Sequence, residues 1–251
     1  MFNFTSGMHK FGLIGYPLSH SFSKNYFAEK FNREQIKDCT YDLYPIQSIE
    51  DFPELVVKIG YGLKGLNVTI PHKQSVIPFL DEVDEAAAEI GAVNTIQFNS
   101  RGTKGYNTDA LGFESSLLEH LEKPVSNALI LGTGGSSKAV QFVLKKLGID
   151  FQLVSRQPGL TTISYDQVTD ELLLRNLLII NTTPLGMYPL LEASPPIHFE
   201  ILGTDHTLYD LIYNPAQTVF LAKGAARGCK TINGLDMLYR QAEESWKIWN
   251  S

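Results

Sequence analysis

One glycine-rich segment restricts the possible folds of this 251-residue chain more than any other. The apolar residues 129–131 are followed by Gly132-Thr-Gly134-Gly135 and then by a helix-forming stretch that reaches Leu147. In such a strand, turn and helix, the glycines let the backbone approach a pyrophosphate, which the helix N-terminus attracts. Ser137 stands where the third glycine of the usual pattern would be, so the match is incomplete. The segment predicts a dinucleotide-binding α/β unit; a strand–helix turn without a ligand is the alternative.

The end of the next predicted strand, residues 151–154, indicates which dinucleotide this unit prefers. Where the ribose carries a free 2′-hydroxyl, an Asp or Glu about 20 residues after the glycines usually binds it. The chain reads Ser155-Arg156-Gln157 at this place and has no acid there. A guanidinium group suits a 2′-phosphate because its planar fork makes charge-assisted hydrogen bonds. Arg156 therefore favours NADP, with a surface arginine that binds nothing as the alternative.

Predicted strands and helices alternate along the chain, which is typical of mainly parallel sheets covered by helices. The first series has strands at 10–15, 40–46, 64–68 and 92–98 and helices at 22–31, 48–59 and 85–90. A connecting helix at 108–121 leads to the second series, which has strands at 128–131, 151–154, 177–180 and 208–211 and helices at 135–147, 215–227 and 234–249. The sequence predicts two α/β domains, with the boundary near residues 109–124.

Lys73 follows the strand at 64–68 and the sequence Thr69-Ile-Pro71. Pro71 stops the strand and fits the first turn of a helix. Lys73 would then project from the start of that helix, where the helix dipole disfavours a cation. A lysine at such a place is either solvated or functional, and by itself it is better explained as solvated.

Further polar residues stand where strands give way to helices. Ser19, Ser21 and Asp109 fit helix caps, and Asn94 with Thr95 fits a turn, so each is explained locally when taken alone. Together with the lysine and glycine segments they form five polar clusters at strand-to-helix transitions. Open α/β sheets bind their ligands at this edge, so the clusters predict one or more ligand sites.

Composition excludes several other functions. The net charge of -6 argues against binding nucleic acid or membranes through bulk charge, although it leaves room for a local basic site. The two cysteines, Cys39 and Cys229, lie far apart and outside any CxxC pattern, so neither a zinc site nor a disulfide framework is expected. The apolar runs are too short to span a bilayer, and residues 1–10 do not resemble a secretory signal. A cytoplasmic protein without a metal is expected.

Eight segments, taken in order, resemble the motifs of the shikimate dehydrogenase family and cover nearly the whole chain. They are Gly15-Tyr-Pro-Leu-Ser-His-Ser21, Asn67-Val-Thr-Ile-Pro-His-Lys73, Gly91-Ala-Val-Asn-Thr95, Gly105-Tyr-Asn-Thr-Asp109, Gly132-Thr-Gly-Gly135, Asn181-Thr-Thr-Pro-Leu-Gly-Met187, Asp210-Leu-Ile-Tyr-Asn-Pro215 and Gly234-Leu-Asp-Met-Leu238. The ordered set is far more specific than any one of its members.

The resemblance implies a role for each of the candidate residues. Lys73 and Asp109 would be the catalytic pair. The substrate-binding residues would be Ser19, Ser21 and Tyr213 around a carboxylate and Thr69, Asn94 and Gln241 on hydroxyls. The cofactor-binding residues would be Gly132, Gly134 and Gly135 on the pyrophosphate, Ser155 and Arg156 at the adenosine 2′-phosphate, and Thr182, Met187 and Gly234 at the nicotinamide.

The resemblance also implies an architecture and a reaction. Residues 1–110 would bind the substrate, joined by the C-terminal helix 236–251, and residues 111–235 would form a Rossmann-type NADP domain. The reaction would be reduction of 3-dehydroshikimate to shikimate by NADPH, on the route to chorismate and the aromatic amino acids. The expected partner is a small molecule, with no nucleic acid and no membrane, and the chain would be a monomer or homodimer.

The sequence departs from the family pattern in two places. Phe22-Ser-Lys-Asn25 replaces the usual Ser-Pro and His-Asn after Ser21, and Ser155-Arg156-Gln157 replaces Asn-Arg-Thr at the adenosine end. An NAD-using quinate/shikimate dehydrogenase is the first alternative, although it would favour an acid near 155–157. A non-catalytic regulatory homologue is the second, although it would be expected to lose Lys73 or Asp109. A folate-linked dehydrogenase is the third, against which the paired serines argue.

Overall fold

The computed structural model describes residues 7–18 and 21–251. The chain divides into two compact units. Among the described residues, the first comprises those up to Thr108 together with Ala242–Ser251, and the second comprises Asp109–Gln241. The first unit is therefore discontinuous in sequence, whereas the second is a single stretch of chain.

The first unit is a mixed sheet with helices. Its strands are β1 (His9–Gly15), β2 (Cys39–Pro45), β3 (Leu63–Val68), β4 (Glu82–Val83), β5 (Thr95–Asn99) and β6 (Gly102–Tyr106), and its helices are α1 (Phe22–Arg33), α2 (Phe52–Ile59) and α3 (Glu85–Ile90). The strand order is β2-β1-β3-β5-β6-β4. β1 pairs in parallel with β2 and β3, whereas β5 is antiparallel to β3 and β6. The antiparallel pairing of β5 with β6 follows from the tight connection between them.

An aromatic cluster covers one face of the first sheet. Phe27 on α1 has its ring centroid 4.5 Å from Tyr41 on β2 and 5.5 Å from Trp249 near the end of the chain. Trp249 also donates from Nε1 to the carbonyl of Ile96, at 3.0 Å. A Cβ at Gly65 on β3 would lie 2.2 Å from the Trp249 ring. The C-terminal segment can therefore pack on this sheet only because residue 65 has no side chain.

The second unit contains a parallel sheet. It has strands β7 (Asn127–Leu131), β8 (Asp150–Val154), β9 (Thr162–Ile163), β10 (Leu178–Asn181), β11 (Thr207–Asp210) and β12 (Lys230–Ile232). Its helices are α4 (Thr108–His120), α5 (Gly135–Lys146), α6 (Asp170–Arg175), α7 (Val219–Ala226) and α8 (Leu235–Trp249), of which α4 and α8 cross the unit boundary.

The order of this sheet is β12-β11-β10-β7-β8-β9, and each described strand pair is parallel. The chain starts in the middle at β7, runs to one edge through β8 and β9, and then returns to the other side of β7 with β10. This is the Rossmann order, in which the ligand binds beyond the carboxyl ends of the strands where the direction reverses. The central strands are almost wholly apolar, because helices cover both faces of such a sheet.

The structure differs from several local predictions. Pro71 lies in a turn and begins no helix, and the next regular element is a short 3₁₀ turn at Ile77–Phe79. Helix α2 begins at Phe52, after a 3₁₀ turn in which Ser48 accepts a hydrogen bond from the Glu50 amide. Helix α7 begins at Val219, where Thr218 accepts from the Leu221 amide and so caps it, instead of at Pro215. Across the described ranges, no helix is long and apolar enough to span a bilayer.

Candidate active site

The carboxyl edge of the first sheet brings Thr69 and Asn94 together. The Thr69 amide donates to the Ile14 carbonyl at 2.9 Å, and the Val68 amide donates to the Asn94 carbonyl at 2.8 Å. A Cβ at Gly15 would lie 2.4 Å from the Thr69 methyl, so Thr69 packs directly on the end of β1. The side chain of Thr69 is half-buried. Two of the residues predicted to bind substrate hydroxyls therefore flank the end of β3.

Lys73 lies on a turn that is held by contacts distant in sequence. Its carbonyl accepts a hydrogen bond from the Val93 amide at 2.7 Å. The preceding His72 is 3% exposed and its Nε2 donates to the Ile46 carbonyl at 2.8 Å. This histidine therefore stabilises the fold. The side chain of Lys73 is half-buried. Because the turn is not a helix start, the expected dipole penalty for a cation at residue 73 does not arise, and that part of the sequence argument is wrong.

The side chain of Asn94 caps the helix that carries Asp109. Asn94 is 3% exposed; its Oδ1 accepts from the Thr108 amide at 2.7 Å, and its Nδ2 donates to Thr108 Oγ1 at 3.0 Å. Thr108 is the first residue of α4, whose first amides have no partner within the helix. Asn94 thus fixes the backbone next to Asp109, which is 9% exposed. Sequence reasoning missed this role, because the partners are 14 residues apart.

A buried polar network extends from this cap to the C-terminal helix. Ser245 Oγ on α8 lies 2.8 Å from Thr95 Oγ1 and 3.1 Å from Thr108 Oγ1, and it accepts from Asn67 Nδ2 at 3.0 Å. Asn67 Oδ1 in turn accepts from the Tyr41 hydroxyl at 2.8 Å. Because Ser245 and its three immediate partners are almost completely buried, these groups depend on one another for hydrogen bonding.

Replacing Ser245 with alanine is expected to destabilise the protein by about 1–3 kcal/mol, because buried donors lose their partner. Chemical unfolding followed by fluorescence would measure this as a lower transition midpoint. The control is Ser100→Ala, at an exposed serine of the same unit. Equal midpoints for the two variants would show that the network adds nothing to stability.

Ser21 stands at the start of α1 without acting as its side-chain cap. Its Oγ is buried and has no hydrogen-bond partner among the residues that the structure describes. A buried hydroxyl without a partner is rare in folded proteins and calls for an explanation. A hydrogen-bond acceptor on a bound ligand would supply one. Ser19, predicted to act with Ser21, lies outside the described residues.

In the second unit, the glycine turn connects β7 to α5. Gly132 has a φ of +107°, which side-chain-bearing residues rarely adopt, and a Cβ there would lie 2.7 Å from Thr182 Oγ1. A Cβ at Gly134 or Gly135 would meet no atom within 4 Å, so open space faces the start of α5. Backbone amides at a helix start, next to open space, fit a pyrophosphate. The glycine residues therefore fit the cofactor that the sequence implies.

Arg156 is exposed on the turn that follows β8. The Ser155 amide donates to the Ile163 carbonyl at 2.9 Å, and Ser155 Oγ accepts from the Gln157 amide at 3.2 Å, which fixes the backbone on both sides. Burial raises the pKa of Tyr165, and the positive charge of Arg156 opposes that rise. The exposed side chain of Arg156 is accessible to a ligand.

The remaining cofactor candidates follow β10 and β12. Thr182 donates from both its amide and its Oγ1 to the Leu131 carbonyl, at 2.9 Å each, which joins it to the end of β7. Met187 is 43% exposed. A Cβ at Gly234 would lie 2.1 Å from the Leu211 carbonyl oxygen, so only glycine fits between the ends of β11 and β12. Thr182 thus lies beside the glycine turn, and Gly234 lies beside the segment that follows β11.

Two predicted substrate residues also lie in the second unit. Tyr213 follows β11 and is half-buried, and burial raises the pKa of its phenol. Gln241 on α8 is 9% exposed and donates from Nε2 to the Leu238 carbonyl at 2.9 Å. Within the described parts of the chain, no group of three or more His, Cys, Asp or Glu side chains could hold a metal ion.

The Rossmann strand order, the open glycine turn and the exposed arginine define the second unit as a dinucleotide-binding domain. The other, smaller α/β unit has polar residues at the carboxyl ends of its strands. A family model described as the shikimate dehydrogenase substrate binding domain matches residues 13–96, within that smaller unit.

Known proteins resemble both units together. A shikimate dehydrogenase (NADP(+)) from Methanosphaera stadtmanae is 36% identical over 95% of this chain and 90% of its own length. A chorismate mutase/shikimate 5-dehydrogenase fusion protein from Clostridium acetobutylicum has a crystal structure with a TM-score of 0.87, at 38% identity over 97% of this chain and 91% of that chain. The Thermus thermophilus shikimate 5-dehydrogenase, crystallised with NADP(H) and shikimate, has a TM-score of 0.85 at 29% identity over 96% and 93% of the two chains. The chain belongs to the shikimate dehydrogenase family.

Proposed function

We propose that this protein is an NADP-dependent shikimate dehydrogenase, which reduces 3-dehydroshikimate to shikimate. The observation that carries the proposal is similarity to enzymes of that name along 95% of the chain, with both proposed catalytic residues, Lys73 and Asp109, present. The regulatory-homologue alternative loses its support because these two residues are retained. The quinate/shikimate alternative is not favoured, because the relatives are named for NADP and no acid follows β8.

The proposal assigns a set of residues to each part of NADP. The backbone at Gly132, Gly134 and Gly135 binds the pyrophosphate at the start of α5. Arg156 and Ser155 bind the 2′-phosphate, and Thr182, Met187 and Gly234 line the nicotinamide pocket. Bound NADPH supplies the hydride, and these residues hold and orient it.

The substrate half of the proposal assigns a role to each predicted polar residue. Ser19, Ser21 and Tyr213 bind the carboxylate, which is supported by the buried Ser21 hydroxyl, for which the described residues provide no hydrogen-bond partner. Thr69, Asn94 and Gln241 bind the hydroxyl groups. The side-chain amide of Asn94 already forms hydrogen bonds with Thr108. Only its remaining hydrogen-bonding capacity is available to the substrate.

Catalysis requires a proton for the oxygen that gains negative charge when the ketone is reduced. Lys73, as an ammonium ion, donates that proton. Asp109 accepts a hydrogen bond from the hydroxyl group that forms on this oxygen and so orients that group. A positioned proton donor of this kind typically contributes about 10²–10⁴-fold in rate.

One assay tests the proposal as a whole. Purified protein is incubated with shikimate or quinate and with NADP or NAD, and reduction of the nicotinamide is followed by absorbance. We expect the highest kcat/KM with shikimate and NADP. Failure to oxidise shikimate with either cofactor would reject the proposed function, and preference for quinate with NAD would replace it with the alternative.

Replacing Ser21 with alanine is expected to raise the KM for shikimate about tenfold, because a hydrogen bond to a charged carboxylate is lost. The KM for NADP should not change. Ser48→Ala is the matched control, since Ser48 caps a backbone amide and would affect stability only. Equal increases in both KM values for Ser21→Ala would show that this serine has a structural role.

The proposal has wider consequences that follow from the reaction. The enzyme would act in the cytoplasm, on the route to chorismate and the aromatic amino acids. Its partner would be the small-molecule substrate, and the chain would work as a monomer or homodimer. Size-exclusion chromatography coupled to light scattering would decide between the two states.

A further inference from the structure

Asp210 is a fully buried carboxylate at the carboxyl end of β11. It accepts three hydrogen bonds: Oδ1 from Asn181 Nδ2 at 3.0 Å and from the Ile212 amide at 3.1 Å, and Oδ2 from Thr218 Oγ1 at 2.6 Å. Asn181 ends β10, whereas Ile212 and Thr218 lie near the two ends of the single connection between β11 and α7. One carboxylate therefore joins the end of β10, the start of the segment after β11, and the cap of α7.

The first connection holds the loop after β10. Asn181 Oδ1 accepts from the amide and the hydroxyl of Thr183, at 3.0 and 2.7 Å, while its Nδ2 also donates to the Leu185 carbonyl at 3.3 Å. Thr182 stands between Asn181 and Thr183, and Met187 lies two residues beyond Leu185. The conformation of loop 181–187 thus depends on the orientation of the Asn181 amide, which Asp210 fixes.

The second connection reaches the same loop from the other side. Thr218 donates to Asp210 and accepts from the Leu221 amide at 3.3 Å. A Cβ at Gly186 would lie 3.0 Å from the Thr218 Cβ, so Thr218 packs against this glycine. Gly186 has a φ of +109°, a value suited to glycine alone. Thr218 therefore links the loop to α7 and to Asp210 at once.

The third connection concerns the segment after β11. The Ile212 amide donates to Asp210, and the Ile212 carbonyl accepts from the Gly234 amide at 3.0 Å. Tyr213 is the next residue along the chain. Burial raises the pKa of Asp210 to about 6, and the three hydrogen bonds oppose that rise. The three donors suit an ionised carboxylate, which can accept from all of them.

We infer that Asp210 is a positioning residue, which holds Thr182, Met187, Tyr213 and Gly234 in the arrangement that aligns the nicotinamide for hydride transfer. The inference rests on the proposed function, because it takes those residues to be the nicotinamide and substrate contacts. Buried ionised groups are costly, and a carboxylate that joins the loops after two neighbouring strands at a ligand-binding edge is better explained by that edge than by the core. Asp210 itself touches no reacting atom.

Three variants and one control test the inference. Asp210→Ala removes the acceptor, and Thr218→Val removes one donor while keeping the shape of the side chain; Thr218→Ser restores the hydroxyl. His206→Ala is the control: His206 precedes the amino end of the same strand, is 4% exposed, accepts from the Gly203 amide and donates to the Leu173 carbonyl, each at 3.1 Å. It lies at the opposite end of β11 from the proposed site.

Amide hydrogen exchange, steady-state kinetics and a primary isotope effect are measured on each protein. Amide hydrogen exchange without ligands should be faster at residues 182–187 in Asp210→Ala and Thr218→Val, and unchanged there in His206→Ala. With shikimate and NADP, kcat should fall about tenfold in Asp210→Ala, because small displacements of reacting groups are costly in rate. The KM for NADP should stay within about twofold, since the pyrophosphate and 2′-phosphate contacts are intact. A larger primary isotope effect from deuterium at the transferred position would place the loss in the hydride step.

The outcomes separate the inference from the proposed function. Slower turnover and faster exchange of the loop in Thr218→Val, with recovery in Thr218→Ser, support the inference even if Asp210→Ala fails to fold. Normal kcat, isotope effect and loop exchange in Thr218→Val and in folded Asp210→Ala would overturn it while leaving the dehydrogenase proposal intact. A wild-type protein inactive on shikimate would overturn both.

Discussion

Replacing Lys73 with alanine is expected to lower kcat by about 10²–10⁴-fold, since the proposed mechanism loses its proton donor. The KM for shikimate should change much less, because the carboxylate and hydroxyl contacts are proposed to come from other residues. Steady-state kinetics in both reaction directions would measure the two effects separately. The backbone of this turn is fixed by the Val93 amide, a contact that the substitution leaves in place, so the turn should keep its conformation in the variant.

Two further variants distinguish proton transfer from simple charge at residue 73. Lys73→Arg keeps the positive charge but cannot release a proton readily, so it should also be slow. Lys64→Ala is the control, since Lys64 is exposed on the preceding strand, and it should have normal kinetics. Near-normal turnover in purified Lys73→Ala would remove this lysine from the mechanism. Full activity in Lys73→Arg would assign it a purely electrostatic role.

Replacing Arg156 with alanine is expected to raise the KM for NADP by about 10- to 100-fold, which corresponds to about 1.5–3 kcal/mol for a hydrogen bond to a charged group. The KM for NAD should remain nearly unchanged, because NAD has no 2′-phosphate. Higher salt should weaken NADP binding more than NAD binding in the wild type, since the contact is exposed and screened. Initial rates at several salt concentrations with each cofactor provide the measurement.

Arg175 offers the matched control for this prediction. It is an exposed arginine at the end of α6 in the same unit, so Arg175→Ala changes the net charge equally without touching the turn after β8. Ser155 and Gln157 can add neutral hydrogen bonds but cannot replace the charge of Arg156. A wild-type enzyme that used NAD as well as NADP, without a difference in salt dependence, would contradict the role of Arg156.

Features that depend on neighbouring residues could be predicted from the sequence. The glycine turn, the strand before it and the helix after it form one continuous segment, and glycine at residue 132 is needed for a local reason, its φ of +107°. The role of Arg156 is predicted from its spacing after that turn. Six-residue α6 and three-residue β12 were missed, because elements this short contain too few residues to show a periodic pattern.

Features that depend on distant residues could not be predicted. The conformation around Lys73 is set by Ile46 and Val93, which no local pattern relates to it. The cap that Asn94 provides for Thr108 and the bond between Asn181 and Asp210 join residues 14 and 29 positions apart. Asn181 and Asp210 each end a strand, but that local pattern does not relate one strand to the other. Only the paired strands β10 and β11 reveal that the two side chains meet.

The packing of Trp249 against Gly65 bears on the order in which the protein folds during its synthesis. Residues 109–241 form one uninterrupted unit, and domains generally fold as units while the chain emerges from the ribosome. The other unit requires Ser245 and Trp249, which complete its polar network and its aromatic core. The residues of the first unit up to Thr108 are therefore synthesised before residues 109–241, yet the core of that unit is completed only when residues 242–251 are added.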